Sequence, residues 1–172
     1  HKKNTEKVSN GKASVVARKE YCGKLETHIS EVISESKVVV IAWYSQLIRD
    51  VSIRVHQGGN NVKKDVAAII EQSKSQLDET LKRTQKKFTS SIDVYEEDET
   101  FSVIESQIQE TLQIVQKTAE KKVTQVQEIT VKYQSESEVT ERLSTILESS
   151  KVEVTETLDT TCKQAISVIK EE

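Results

Sequence analysis

The stretch VKKDVAAIIEQSKSQLDETLKRTQKKF, residues 62–88, decides the fold. Its stripe is Val62, Val66, Ile70, Ser73, Leu77, Leu81, Thr84 and Phe88, in steps of four, four, three, four, four, three and four. Steps of three and four place side chains on one face of an α-helix. The period is eleven residues over three turns, about 3.67 per turn, so the helix runs nearly straight or with a slight right-handed supercoil. Residues 139–169 carry the same stripe: Val139, Leu143, Leu147, Ser150, Val154, Leu158, Thr161, Ala165 and Ile169.

The two stretches align without a gap at an offset of 77. Identities extend to polar positions, among them Glu71/Glu148, Ser73/Ser150, Lys74/Lys151, Thr84/Thr161 and Lys86/Lys163. An offset that is a multiple of eleven preserves helical phase, and an offset this long spans two helices. The expected unit is therefore a duplicated helical hairpin. One passage opposes helix. Lys151-Val152-Glu153-Val154-Thr155-Glu156-Thr157 alternates with a period of two and is rich in β-branched residues. The longer stripe runs through it and overrides it.

Working outward, Gly58-Gly59 supplies the strongest helix stop, and Asn60 and Asn61 offer caps for the next helix. Before it, Leu25, Ile29, Val32, Val40, Trp43, Leu47 and Val51 mark a first helix. Around Val38–Ile41 that helix is apolar on more than one face, which predicts more than two packing neighbours, another subunit among them. The acidic run Glu96–Glu99 reads as part of a loop over 92–99. Ser102 with Glu105, and Ser135 with Glu138, read as capping boxes. Residues 1–12, with Asn10-Gly11, read as a flexible basic arm. The expected fold is all-α. A single domain over 13–172 is a bundle of about four long amphipathic helices, roughly 14–57, 60–91, 100–133 and 136–170.

Composition agrees with long helices. The chain of 172 residues has no proline, so nothing forces a helix to break. Aromatics are 4%, which leaves the core to Val, Ile and Leu. A net charge of −3 lacks the basic field that general nucleic-acid binding needs. The longest apolar run, Val38–Tyr44, is far short of the ~20 residues of a membrane span. Methionine is absent even from position 1, so the chain reads as a processed or excerpted product with a lean toward an extracellular compartment.

Motifs that carry chemistry are not evident. His1, His28 and His56 form no metal-ligand spacing, Gly58-Gly59 lacks the rest of a phosphate loop, and Cys22 and His28 fall on different helix faces. The reading is non-enzymatic, without cofactor or metal. Three features offer contacts instead. Cys22 and Cys162 form a candidate disulfide in an oxidising compartment. Val39, Trp43, Tyr44 and Leu47 form a candidate interface. Lys2, Lys3, Lys7, Arg18 and Lys19 are candidates to dock on the acid-rich segment 134–172, within one chain or between chains.

The function expected is that of a structural or self-assembling helical protein acting on itself or on another helical protein. The alternative is binding to a lipid surface or a small hydrophobic ligand. The 11-residue period resembles that of exchangeable apolipoproteins and lipid-droplet coat proteins, in period alone. Polar interruptions at Ser73, Thr84, Ser150 and Thr161 disfavour the lipid reading.

Overall fold

A computed structural model describes residues 2–90 and 98–171, with side chains from residue 15 onward. Four helices follow one another: α1 (Lys2–Gln57), α2 (Val62–Ser90), α3 (Glu99–Lys132) and α4 (Glu136–Lys170). The expected loop over 92–99 lies largely outside the described residues. The backbone of residues 2–13 continues α1, where the sequence suggested an arm up to residue 12. No proline intervenes, and Asn10-Gly11 does not stop the helix.

The chain reverses at Gly58 and Gly59, whose φ values of 66° and 94° are left-handed. Glycine meets that requirement without a Cβ clash. Arg54 donates to the Gly58 carbonyl at 2.7 Å and to Asp65 at 2.7 Å, tying the last turn of α1 to the first of α2. Ser135 caps α4 as its sequence suggests, accepting from the Glu138 amide. At the start of α3, Asp98 takes the place expected for Ser102. It accepts from the Thr100 and Phe101 amides at 3.0 and 3.4 Å, and the helix begins at Glu99.

Each helix packs on two others, α1 and α3 both on α2 and α4, so α1 lies diagonal to α3. Within one chain, these are the two helices that α1 packs along. Cross-helix bonds set the levels. Trp43 meets Ser73, Lys37 meets Asp159, Gln116 meets Asp78, and Thr111 meets Thr161. Numbers rise on one helix as they fall on the next, which is an up-down-up-down bundle.

The buried residues of α2 are Val66, Ile70, Ser73, Leu77, Leu81, Thr84 and Phe88. Those of α4 include Val139, Leu143, Ile146, Ser150, Val154, Leu158, Thr161, Ala165 and Ile169. Ile146 is buried where the stripe predicted Leu147, which is half-buried. The core divides into two clusters, bridged by Trp43 and Leu147, which pack against both. Lys37 faces Asp159, so Lys170, eleven residues further along α4, lies level with about position 26 of α1. N-terminal to that level α1 projects past α4, and residues 15–20 are all exposed.

Candidate functional site

Two polar layers interrupt the aliphatic core. In the first, Ser36 on α1, Thr84 on α2, Thr111 on α3 and Thr161 on α4 are all buried. Thr111 and Thr161 share a hydrogen bond of 2.6 Å across the bundle. Ser36 donates to the Val32 carbonyl and Thr84 to the Thr80 carbonyl, each within its own helix. Small hydroxyl residues can sit in a helical core because the carbonyl four residues back satisfies them.

The second layer seats the aromatics. Tyr44 is fully buried. Its neighbour Trp43 stands edge-on to it, with ring centroids 4.9 Å apart and planes at 71°. Trp43 Nε1 donates to the Ser73 carbonyl at 2.7 Å. Tyr44 Oη is sealed from solvent and faces Ser150 Oγ without closing a well-formed hydrogen bond. Burial pushes the Tyr44 phenol far up, and Glu153 adds to the shift. A phenol so displaced stays neutral throughout the physiological range, and its surroundings are those of a packed core.

A third polar group closes the bundle where α3 begins. Asp98 is 8% exposed. Beyond capping α3, it lies 3.6 Å from the Arg18 guanidinium and faces Tyr21. Arg18 donates to Thr100 Oγ1 at 3.0 Å and its guanidinium stands over the Tyr21 ring. Burial, and then Asp98, hold the Tyr21 phenol well above its ordinary range. Arg18 thus joins α1 to α3 by its bond to Thr100 and by its charge beside Asp98, whose Oδ2 closes no hydrogen bond among the described residues.

The structure separates the residues singled out in the sequence. Tyr44 and Leu47 are spent on the core of the chain itself, at 0% and 1% exposure, which removes them from any interface with a partner. Val39 and Trp43 are half-buried against the same core. Cys22 and Cys162 are both free. The level of Asp159 with Lys37 puts Cys162 opposite position 34, twelve residues from Cys22. At ~1.5 Å per residue that is about 18 Å along the axis, far beyond the ~7 Å limit between bridged Cα atoms. The expected disulfide is therefore corrected to two separate thiols packed on the core. Arg18 engages α3, and Lys19 is exposed. Since α4 ends near the level of position 26, Arg18 and Lys19 lie beyond the end of α4 and do not dock on it within the chain. The side chains of Lys2, Lys3 and Lys7 lie outside the described residues.

Among the described residues, no cluster of histidine, cysteine and carboxylates has metal-site geometry. No helix is long and apolar enough to cross a membrane. An open groove of about 500 Å³ between α1 and α2 is walled by Gln46, Asp50, Ile53, Gln72 and Gln76, with Arg54 held by Asp65.

Sequence reasoning saw the apolar outer face of α1 around Val38–Ile41 but assigned the candidate interface to Val39, Trp43, Tyr44 and Leu47 instead. Ser34, Val38 and Ala42 are exposed there, and Ile41 and Ser45 are half-buried. Val38, at 68%, is the most exposed large apolar side chain among the described residues. The signal was present, since Val38 falls outside the stripe of the first helix. Compared with protein-family models, with curated proteins and with solved structures, the chain matches none.

Proposed function

We propose that this protein is a non-enzymatic structural element, built as a duplicated helical hairpin and acting through helix-to-helix contacts with protein, copies of itself foremost. The observation that carries the reading is a correspondence of buried faces. Shifted by 75, eight of the ten α1 residues buried among the described ones, Leu25, Ile29, Ile33, Ser36, Val40, Tyr44, Ile48 and Val51, fall on Thr100, Ile104, Ile108, Thr111, Val115, Ala119, Val123 and Val126, while Val32 and Leu47 fall on half-buried Gln107 and Lys122. The α3 residues from Thr100 to Val126 that match those eight are all buried. Shifted by 77, the buried residues of α2 fall on buried residues of α4, except that Ile70 falls on half-buried Leu147. The eleven-residue spacing recurs in both pairs.

The interior is thus one architecture used twice, while the outer surfaces have diverged. A duplicated interior with differentiated exteriors suits a scaffold whose specificity lies in what each helix shows outward. The hydroxyls within the core support protein contact over lipid. Each of Ser36, Thr84, Thr111 and Thr161 finds a protein partner, and each would face hydrocarbon if the bundle opened on a membrane.

Sedimentation velocity over a wide concentration range tests the reading. Association that grows with concentration is expected, together with no flotation on liposomes. A chain that stays monomeric throughout, or one that floats with vesicles, overturns it.

A further inference from the structure

The outer face of α1 carries a pattern that its counterpart on α3 lacks. From Ser34 to Ser45 the residues along it are Ser34, Val38, Ile41, Ala42 and Ser45, edged on one side by Glu35, which is drawn to Lys87 of α2 at 3.2 Å. Shifted by 75, the same positions on α3 are Gln109, Gln113, Gln116, Lys117 and Glu120. The hairpin architecture alone therefore does not require an apolar face here. Other exposed apolar residues, such as Ile114 and Val152, stand singly among charged neighbours and need no partner.

Charge brackets the face. Glu31 lies just before it along α1, and Arg49 just after it. Both are exposed, and both share the side of Val38, because separations of seven and eleven residues are close to whole numbers of turns. Arg49 has no acid within ion-pair distance among the described residues, and Glu31 approaches only His28, at 3.9 Å. Glu31 and Arg49 are equidistant from Val40, nine residues to either side.

We propose that this face is the contact between two copies of the chain, related by a two-fold axis near Val40 with their α1 helices antiparallel. This rests on the self-association reading and names its surface. An antiparallel partner centred on Val40 sets Val38 against Ala42 of the other copy. It sets Glu31 against Arg49, and two-fold symmetry makes the pair twice. Along the helix the apolar face is flanked by one acid and one base in the order that antiparallel self-pairing demands, while Glu35 at its edge is already held by Lys87. A parallel pairing would set like charges together. Small residues at Ser34, Ala42 and Ser45 let the helices approach closely. Packing near +20° keeps them side by side over the ~27 Å from Glu31 to Arg49. The contact is narrow compared with an obligate interface, so the dimer is reversible and concentration-dependent.

The experiment measures the dimer dissociation constant by sedimentation velocity on the full chain, for wild type, Val38→Asp, Arg49→Glu and the charge-swapped Glu31→Arg/Arg49→Glu. All three positions are exposed, and circular dichroism checks that each variant remains helical. Val38→Asp is expected to weaken association by tenfold or more, on the order of the loss of a central apolar contact at both halves of a symmetric contact. Arg49→Glu is expected to weaken it by about tenfold, since both ion pairs become like-charge pairs. The swap restores association to within about threefold of wild type, because each pair is re-formed with its signs exchanged. If wild type associates and none of the variants weakens it, this surface is wrong while the self-association reading stands. If Arg49→Glu weakens it and the swap fails to restore it, the antiparallel register is wrong. A wild type that never associates overturns both.

Discussion

Helices α1 and α3 share most of their buried positions and show different faces to the outside. Inward, Ile29 and Ile104, Ile33 and Ile108, Val40 and Val115, and Val51 and Val126 are paired identities at one offset. Outward, Val38 and Ala42 on α1 correspond to Gln113 and Lys117 on α3. The difference shows which constraint acts where. Burial holds a residue to a narrow range of volume and polarity, because a core has no room to absorb a change. Exposure leaves a position free until something binds it. An apolar residue on an exposed face of one helix, where the equivalent position of the other is polar, is one that core packing does not account for.

Among positions buried on both helices, the largest difference is at Tyr44, whose counterpart is Ala119. The ring fits because the helices around it offer Ser73, Ser150 and Ala119 at its level. Tyr44→Ala should leave a cavity that these small residues cannot fill, with a loss of about 3–5 kcal/mol in urea unfolding. Ala119→Tyr should overpack the same space at a cost of about 1–3 kcal/mol. If Tyr44→Ala loses less than a surface substitution does, the two aromatics do not organise this layer.

The next contrast is at Ser36 and Thr111, equivalent hydroxyls with different partners. Thr111 reaches across to Thr161, whereas Ser36 bonds within its own helix. Thr111→Val should strand the Thr161 hydroxyl and cost about 1–3 kcal/mol. Ser36→Ala removes a local bond that α1 does not need and should stay within about 0.5 kcal/mol of wild type. Thr111→Val/Thr161→Val should recover most of the loss. A double-mutant cycle with no coupling would show that the cross-bundle bond carries no stability.

Much of this was legible in the sequence, and the exceptions share a cause. The stripes of α2 and α4, the reversal at Gly58-Gly59 and the Ser135 cap depend on residues close in the chain, and these readings match the structure. The choice between Trp43 and Tyr44 for the core depended on Ser73, Ala119 and Ser150, which are remote in sequence. Two adjacent residues on a helix straddle the stripe, and only the facing helices decide between them. Asp98 was hidden as a cap within the acidic run that precedes α3. The match of α1 to α3 was missed because their offset, 75, differs from the 77 that relates α2 to α4, and because the outer faces do not resemble each other. Cys22 and Cys162 looked bridgeable while the axial register was unknown.

The connections within the two hairpins differ as well. The α1–α2 turn uses left-handed glycines, and the α3–α4 turn, Tyr133 to Ser135, uses extended backbone. Gly58→Ala or Gly59→Ala should therefore cost about 1–2 kcal/mol each, since an L side chain resists that region. Gln134→Ala, at the other turn, should be near neutral. Equal costs at both turns would mean that the glycine conformations are not what closes the first hairpin.

The smallest effect is expected at the C-terminal turns, where His56 on α1 corresponds to exposed Val131 on α3. His56 Nδ1 pairs with Glu136 at the start of α4. The Glu136 carboxylate raises the His56 pKa, by its hydrogen bond first and its charge second. A folded-state pKa above the unfolded value adds stability that is complete below the unfolded pKa, near 6.5 for histidine. That stability is lost as pH rises through the folded pKa. Both groups are exposed, so solvent screens the pair and the gain is small. Wild type should therefore lose slightly more stability than His56→Gln between about pH 5.5 and pH 8, a difference that high salt should erase. Glu136→Gln should behave like His56→Gln, because either change removes the pair. A wild type and a His56→Gln variant with parallel pH profiles would mean that this link adds nothing to the closed end of the bundle, leaving Arg54 and its bonds to Asp65 and Gly58 as the polar ties at that end.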